Sequence, residues 1–89
     1  MNPDKIEINN LSKLRWACRR GMLELDVLLG NFLTEQYAEL SADDQEIFVK
    51  LLAENDQDLF MWLTGKEICS EPSLSTMIEK IRLHAKTRH

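Results

Sequence analysis

Hydrophobic residues recur at intervals of three and four along most of this chain, which is the spacing of helices that bury one face. The clearest stripe consists of Leu25, Leu28, Leu29, Phe32 and Leu33, with Tyr37 one turn further on. Gly30 lies within this stripe and lowers helix propensity by up to about 1 kcal/mol relative to alanine, so it marks either a bend or a close helix crossing. The stripe as a whole predicts a long helix.

An earlier and shorter apolar stripe predicts a first helix and consists of Leu11, Leu14 and Cys18. Asn9 or Asn10 can supply its N-cap, and the helix is expected to run to about Arg20. Gly21 follows, and glycine commonly ends a helix because it adopts a left-handed backbone without strain. The first two helices are therefore predicted to meet at Gly21.

Three further helices are predicted in the second half of the chain. Ser41 is a hydroxyl N-cap with carboxylates in the turn after it. The segment 55–58, Asn-Asp-Gln-Asp, repeats this start signal, with either an amide or a carboxylate as the cap, for a short helix that Thr64-Gly65 closes. Residues 66–72 form the longest predicted loop, and Ser73 can cap the last helix. The three apolar faces are Ile47, Phe48, Leu51 and Leu52; Leu59, Phe60, Trp62 and Leu63; and Leu74, Met77, Ile78, Ile81 and Ala85.

Five short helices without an alternating strand pattern predict an all-α fold, a compact antiparallel bundle. The length of 89 residues predicts one domain over residues 1–89. Its ends, residues 1–8 and a tail at residues 85–89, are expected to be flexible.

Composition and charge exclude several classes of protein. A net charge of -4 and a pI of about 5.1 argue against nucleic-acid binding, which requires many cations. The one basic run, residues 80–89, is expected to be a fraying helix end, with a docking tail as the alternative. The chain has no apolar run of about 20 residues and no secretory signal pattern, so we expect a cytoplasmic protein without membrane insertion.

The chemistry-bearing residues do not form a catalytic pattern. Cys18 and Cys69 stand far apart and near no histidine pair, so we expect reduced, partly buried thiols and no metal site. His84 and His89 lie in the last six residues, where we expect them to be solvated. Since no phosphate loop or nucleophile motif occurs either, we expect no catalytic residue and no enzyme activity.

Residues 16–26, with the sequence WACRRGMLELD, concentrate charge around the predicted turn at Gly21. Two arginines lie where a helix C-terminus favours cations, and two carboxylates lie where a helix N-terminus favours anions. Helix-end electrostatics explains each of them, but the density of charge beside Trp16 exceeds what a turn needs. Trp16 flanks the first apolar stripe, so core packing and exposure as a binding hot spot are equally open.

The string Arg20-Gly21-x-x-Glu24 in this segment closely resembles the signature of the succinate dehydrogenase assembly factors, the SdhE-type flavinylation factors. The resemblance continues in Leu-Ser-Ala-Asp-Asp at 40–44 and in Asp-Leu-Phe-Met-Trp-Leu at 58–63, and it covers about residues 11–81. It implies a five-helix protein that helps FAD become covalently attached to the flavoprotein subunit of succinate dehydrogenase, and in bacteria of fumarate reductase. The flavin is bonded to a histidine of that client, so no cofactor is expected to bind this chain stably.

The resemblance also implies a partner-binding surface, formed by Arg20, Gly21 and Glu24 with Trp16, Arg19 and Asp26 as neighbours. The planar fork of Arg20 suits a carboxylate or a carbonyl of the client. Gly21 allows close approach of two backbones, and Glu24 is expected to pair with a client cation or to orient Arg20. With no heptad seam in the sequence, we expect a monomer.

Two other functions are compatible with the sequence. Members of the same family have also been described as antitoxin-like partners of a small membrane toxin, a role that a small acidic helical domain can fill. A small enzyme using Glu24 with Arg20 is the third possibility, and it would need a pocket that raises the pKa of the carboxyl.

Overall fold

The structure, a computed structural model, describes residues 10–88. Five α-helices lie in this range: α1 (Leu11–Ala17), α2 (Leu23–Gln36), α3 (Ala42–Leu52), α4 (Asp56–Leu63) and α5 (Pro72–Thr87), with a 3₁₀ helix, Tyr37–Glu39, directly after α2. Residues 10–88 contain no strand, and the predicted all-α fold is confirmed. Within the same range, none of the helices is long and apolar enough to cross a membrane.

Three helices begin where the sequence places a capping side chain. The side-chain oxygens of Asn10, Ser41 and Asn55 accept hydrogen bonds from the backbone N–H three residues later, at 3.1, 3.2 and 2.8 Å. The fifth helix begins slightly earlier than the predicted cap at Ser73, with Pro72 as its first residue. Proline suits that position because its φ is already helical and the N–H it lacks would have no helical partner.

The core lies between α2 and α5, which contact each other; α2 also packs against α1 and α4, and α5 against α3 and α4. At its centre the rings of Phe32 and Phe48 stack with centroids 5.6 Å apart, and the ring of Tyr37 lies 5.5 Å from that of Phe48. The predicted apolar faces supply nearly all of the buried side chains. Leu11 is the clearest exception, at 54% exposure, and Phe60 and Trp62 are only partly buried.

The C-terminal part of α5 is held against α2 by an ion cluster. The Arg88 guanidinium donates to both carboxylate oxygens of Glu35 at 3.0 and 2.9 Å, and Nε2 of His84 lies 2.8 Å from one of them. Helix α5 therefore continues to Thr87, so three residues of the expected flexible tail are helical. The prediction that His84 is solvated is wrong, because its side chain is 11% exposed and its ring packs edge-on against Phe32. Residues 1–8 and His89 lie outside the described residues.

This cluster predicts a pH dependence of stability. The hydrogen bond from Arg88, assisted by His84, holds the pKa of Glu35 below its usual value of 4.5. A carboxyl with a lower pKa in the folded state contributes stability that is complete above about pH 5, and that is lost as pH falls from 4.5 through the folded value. We expect Glu35→Gln to reduce the loss of unfolding free energy between about pH 7 and pH 3, measured by urea unfolding.

A suitable control for this prediction is Glu46→Gln. Glu46 is exposed on α3 and has no ion pair among the described residues, so the control should follow the wild-type pH dependence. If wild type and Glu35→Gln showed the same pH dependence of the unfolding free energy, protonation of Glu35 would not be a cause of the loss of stability in acid.

Candidate functional site

The connection between α1 and α2, here called the corner (residues 18–22), is fixed by backbone hydrogen bonds. Cys18 N–H still bonds to the Leu14 carbonyl at 3.0 Å, but Arg20 N–H donates to the carboxylate of Asp26 instead of to a helical carbonyl. The first helix consequently ends at Ala17, three residues before its predicted end at Arg20. Gly21 then makes the turn with φ of +85°, a backbone conformation that favours glycine.

The side chain of Arg20 is directed into the protein and is only 15% exposed. Its Nε donates to the Asp56 carboxylate at 2.7 Å. One terminal nitrogen donates to the carbonyls of Ala17 and Leu52 at 2.9 and 2.8 Å, and the other donates to the Glu54 carbonyl at 2.6 Å. We call this set of contacts the Arg20 clamp. It joins the end of α1 to the α3–α4 turn, residues 53–55.

The clamp uses four of the five N–H groups of the guanidinium: the one on Nε, two on one terminal nitrogen and one on the other. One N–H group remains, so recognition of a client carboxylate by two hydrogen bonds from Arg20, the role that its planar fork suits, would require at least one bond of the clamp to break first. The carboxylate that orients Arg20 is that of Asp56, whereas the side chain of Glu24 makes no hydrogen bond or ion pair with any residue from 10 to 88.

The other predicted site residues divide into an inward and an outward group. Asp26 is partly buried and belongs with Arg20, because it accepts the Arg20 N–H. The sequence left core packing and surface exposure of Trp16 equally open, and the structure shows surface exposure, with 74% of the residue accessible to solvent. The remaining outward residues are Arg19, Gly21 and Glu24.

Two further exposed apolar side chains lie in the first turns of α2. Leu23 is 80% exposed and Val27 is 48% exposed, and their spacing of four places them on one side of the helix. We call the surface formed by Trp16, Arg19, Gly21, Leu23, Glu24 and Val27 the outer face. The sequence analysis did not identify Leu23 and Val27 as surface residues. The pattern contained a signal for it, because neither residue belongs to the apolar stripe that includes Leu25 and Leu29.

An open groove of about 320 Å³ runs between α1 and α2 beside Trp16, and Arg15, Arg19 and Gly30 line it. Across the groove, a terminal nitrogen of Arg15 donates to Oγ1 of Thr34 at 3.2 Å, which fixes one edge. A Cβ added at Gly30 or at Gly21 would have no contact within 4 Å with the rest of the protein, so the space beside each glycine is open.

The corner does not contain an activated nucleophile. Cys18 is 2% exposed, and burial raises the pKa of its thiol to about 12 despite the nearby arginines. The thiol is therefore protonated at neutral pH and a poor nucleophile. Both cysteines are unpaired and buried, as expected from the sequence. Residues 10–88 contain no group of three or more His, Cys, Asp and Glu side chains that could hold a metal ion.

A family model described as "flavinator of succinate dehydrogenase" matches residues 12–85, which include the clamp and the outer face. The chain belongs to this flavinator family. The prediction made from the Arg-Gly-x-x-Glu string and its flanking residues is thereby confirmed.

Individual relatives of this flavinator-family chain cover most of its length. The FAD assembly factor SdhE of Shewanella oneidensis is 46% identical over 77 residues, which are 86% of this chain and 94% of that protein. The FAD assembly factor SdhE of Colwellia psychrerythraea is 50% identical over 72 residues, which are 81% of this chain and 79% of that protein. The solution structure of a UPF0350 protein has the same fold, with a TM-score of 0.75 and 38% identity over 93% of this chain and 88% of that one.

Proposed function

We propose that this chain is an assembly factor that binds the flavoprotein subunit of succinate dehydrogenase and promotes the covalent attachment of FAD to it. The observation that carries the proposal is the flavinator-family match over residues 12–85, since it includes every residue of the outer face. The names of the SdhE relatives, which are FAD assembly factors, give the same assignment.

In this proposal the chain acts by binding and not by catalysis. The flavin stays with the client, whose own residues form the bond to it. An assembly factor can promote that step by binding a flavinylation-competent conformation of the client in preference to others, which raises the population of that conformation. The inert Cys18 thiol and the exposed Glu24, which has no partner among residues 10–88, are compatible with such a role.

The outer face has the composition of a protein-binding surface. Trp16 and Leu23 expose most of their side chains to solvent, and tryptophan and arginine are the residues that most often dominate binding energy at interfaces. The side chain of Arg19 has no hydrogen bond or ion pair within the described part of the chain. Arg19, rather than Arg20, therefore offers the guanidinium that is free to meet a client.

Charge is distributed unevenly over the protein. Residues 10–22 carry four cations and no acidic residue, whereas α3, α4 and the turn between them are mostly acidic. The acidic residues there are Asp43, Asp44, Glu46, Glu54, Asp56 and Asp58. The α1 side of the outer face is thus suited to a client surface that combines carboxylates with apolar groups, and association should slow as salt concentration rises.

Three finer points belong to the proposal, the first from the resemblance to bacterial assembly factors and the other two from the sequence patterns. The fumarate reductase flavoprotein is a second client, the chain works in the cytoplasm, and it binds its client as a monomer. Each client is approached through the same outer face, because the corner presents an exposed glycine that allows the client backbone to come close.

The test is the covalent flavin content of the succinate dehydrogenase flavoprotein subunit, measured as flavin fluorescence of the denatured subunit. Cells lacking this chain are expected to lose the signal, and the wild-type chain is expected to restore it. The Glu24→Ala variant is expected to restore at least about tenfold less covalent flavin than the wild-type chain, because an exposed carboxylate of the outer face is removed.

The matched control is Asp43→Ala. Asp43 occupies the second position of α3, as Glu24 does in α2, and both are exposed carboxylates without a partner among the described residues. Asp43→Ala should therefore restore covalent flavin as wild type does. Unchanged covalent flavin in cells without the chain would overturn the proposal and favour the antitoxin-like role. A loss of circular dichroism helix signal in Glu24→Ala would make the defect structural.

A further inference from the structure

The Arg20 clamp joins the family signature to a helix that the signature does not include. Arg20 and Asp56 are 36 residues apart in the sequence, and Asp56 is the first residue of α4. The guanidinium lies between the carboxylate of Asp56 and three backbone carbonyls at the ends of α1 and α3 and in the α3–α4 turn. These carbonyls have no helical partner, so the clamp satisfies helix ends in two parts of the fold at once.

The clamp also determines where the corner lies. The backbone N–H of Arg20 is bonded to Asp26 at the start of α2, and its side chain is bonded to α3 and α4. Gly21 is the next residue, and Trp16 precedes Ala17, whose carbonyl is one of the bonded groups. A change in the orientation of the guanidinium would therefore move two residues of the outer face relative to the rest of the protein.

We propose that Asp56 is a positioning residue for client binding: through Arg20 it holds the corner in the conformation that the client recognises. This inference rests on the proposed function. The bond from Nε to Asp56 is the one bond of the guanidinium to a carboxylate among residues 10–88, whereas the bonds from its two terminal nitrogens all go to neutral backbone carbonyls. Without Asp56, the position of the guanidinium is set by the carbonyls alone.

The structure allows this role to be separated from folding. Removal of the Asp56 carboxylate leaves the Arg20 guanidinium, which is 15% exposed, without its ion-pair partner, so Asp56→Ala is expected to lower the unfolding free energy without preventing folding. The three carbonyl bonds of Arg20 remain available, and the N-cap of α4 is Asn55, which bonds to Asp58 N–H independently of Asp56. A variant at position 56 should therefore fold with α4 intact.

The test compares Asp56→Ala with Asp58→Ala. Both substitutions remove one carboxylate from the first turn of α4, but Asp58 contacts Asn55 and not Arg20. Dissociation constants for the isolated succinate dehydrogenase flavoprotein subunit, carrying non-covalent FAD, are measured at a temperature where every variant is fully folded. We expect Asp56→Ala to raise the dissociation constant about fivefold and Asp58→Ala to leave it unchanged.

A spectroscopic readout accompanies the binding measurement. Backbone amide signals of Gly21 and Arg20 are expected to shift in Asp56→Ala and to stay in place in Asp58→Ala. Asp56→Asn keeps an acceptor oxygen without the charge, so its dissociation constant should fall between those of wild type and Asp56→Ala.

Two outcomes would overturn the inference. Equal dissociation constants for Asp56→Ala and wild type, with only the unfolding free energy reduced, would show that the clamp serves stability alone. Unmoved Gly21 and Arg20 amides in Asp56→Ala would show that Asp56 does not position the corner. Failure of the wild-type chain to bind the flavoprotein is a different result: it counts against the proposed function, and the amide signals still decide whether Asp56 positions the corner.

Discussion

Arg20→Ala is expected to lower the free energy of unfolding by about 2–4 kcal/mol. The substitution removes four side-chain hydrogen bonds and leaves the carbonyls of Leu52 and Glu54 without the donor that the structure gives them. Arg20→Lys should recover little of this loss, because a single ammonium group cannot reach acceptors on both sides of a planar fork.

Urea unfolding monitored by circular dichroism measures this effect, with Arg19→Ala as the control. Arg19 is the neighbouring guanidinium, but it is exposed and its side chain has no partner among residues 10–88. Its removal should change the unfolding free energy by no more than about 0.5 kcal/mol. If Arg20→Ala were no less stable than Arg19→Ala, the clamp would not be a stabilising feature of the fold.

This difference between adjacent arginines changes how the signature Arg-Gly-x-x-Glu is understood. A loss of client binding in an Arg20 variant would follow from a displaced corner as readily as from a missing contact. The same loss in an Arg19 or Glu24 variant has no such structural explanation, since both side chains lie outside the clamp. Variants of exposed residues therefore test the client-binding surface more directly than variants of Arg20 do.

The helices could be predicted because their signals are local. Capping by Ser41 and Asn55 depends on the backbone N–H three residues later, and apolar periodicity depends on neighbours within two turns. Both are readable in a single sequence. Central residues of the predicted apolar stripes, such as Leu25 and Leu29 on α2, are accordingly fully buried.

The features that could not be predicted depend on contacts distant in sequence. The side chain of Arg20 is directed inward because it finds acceptors at Leu52, Glu54 and Asp56, more than 30 residues away. The side chain of His84 is largely shielded from solvent because it packs against Phe32 and finds a partner in Glu35, 49 residues away. No periodicity or propensity carries such information, so the sequence identified the residues of the corner without showing which of them face inward.

Gly21→Arg is expected to abolish client maturation while leaving a folded helical protein. Gly21 has φ of +85°, so any replacement with a Cβ introduces backbone strain of about 1–2 kcal/mol. The direction of that Cβ is open, with no atom within 4 Å, so a long side chain fits in the free protein. It would then extend into the space through which the client must approach the corner.

Gly21→Ala separates strain from bulk, because alanine introduces the same backbone strain but adds only a methyl group. Both variants should show similar unfolding free energies in urea, whereas covalent flavin in the client should be largely retained with Gly21→Ala and absent with Gly21→Arg. Gly21→Asn, with a side chain that tolerates this conformation better, should be the most stable of the three. If Gly21→Arg supported as much covalent flavin as Gly21→Ala, the client would not approach at the corner, and the outer face would have to be reassigned to the part of α2 beyond Leu23.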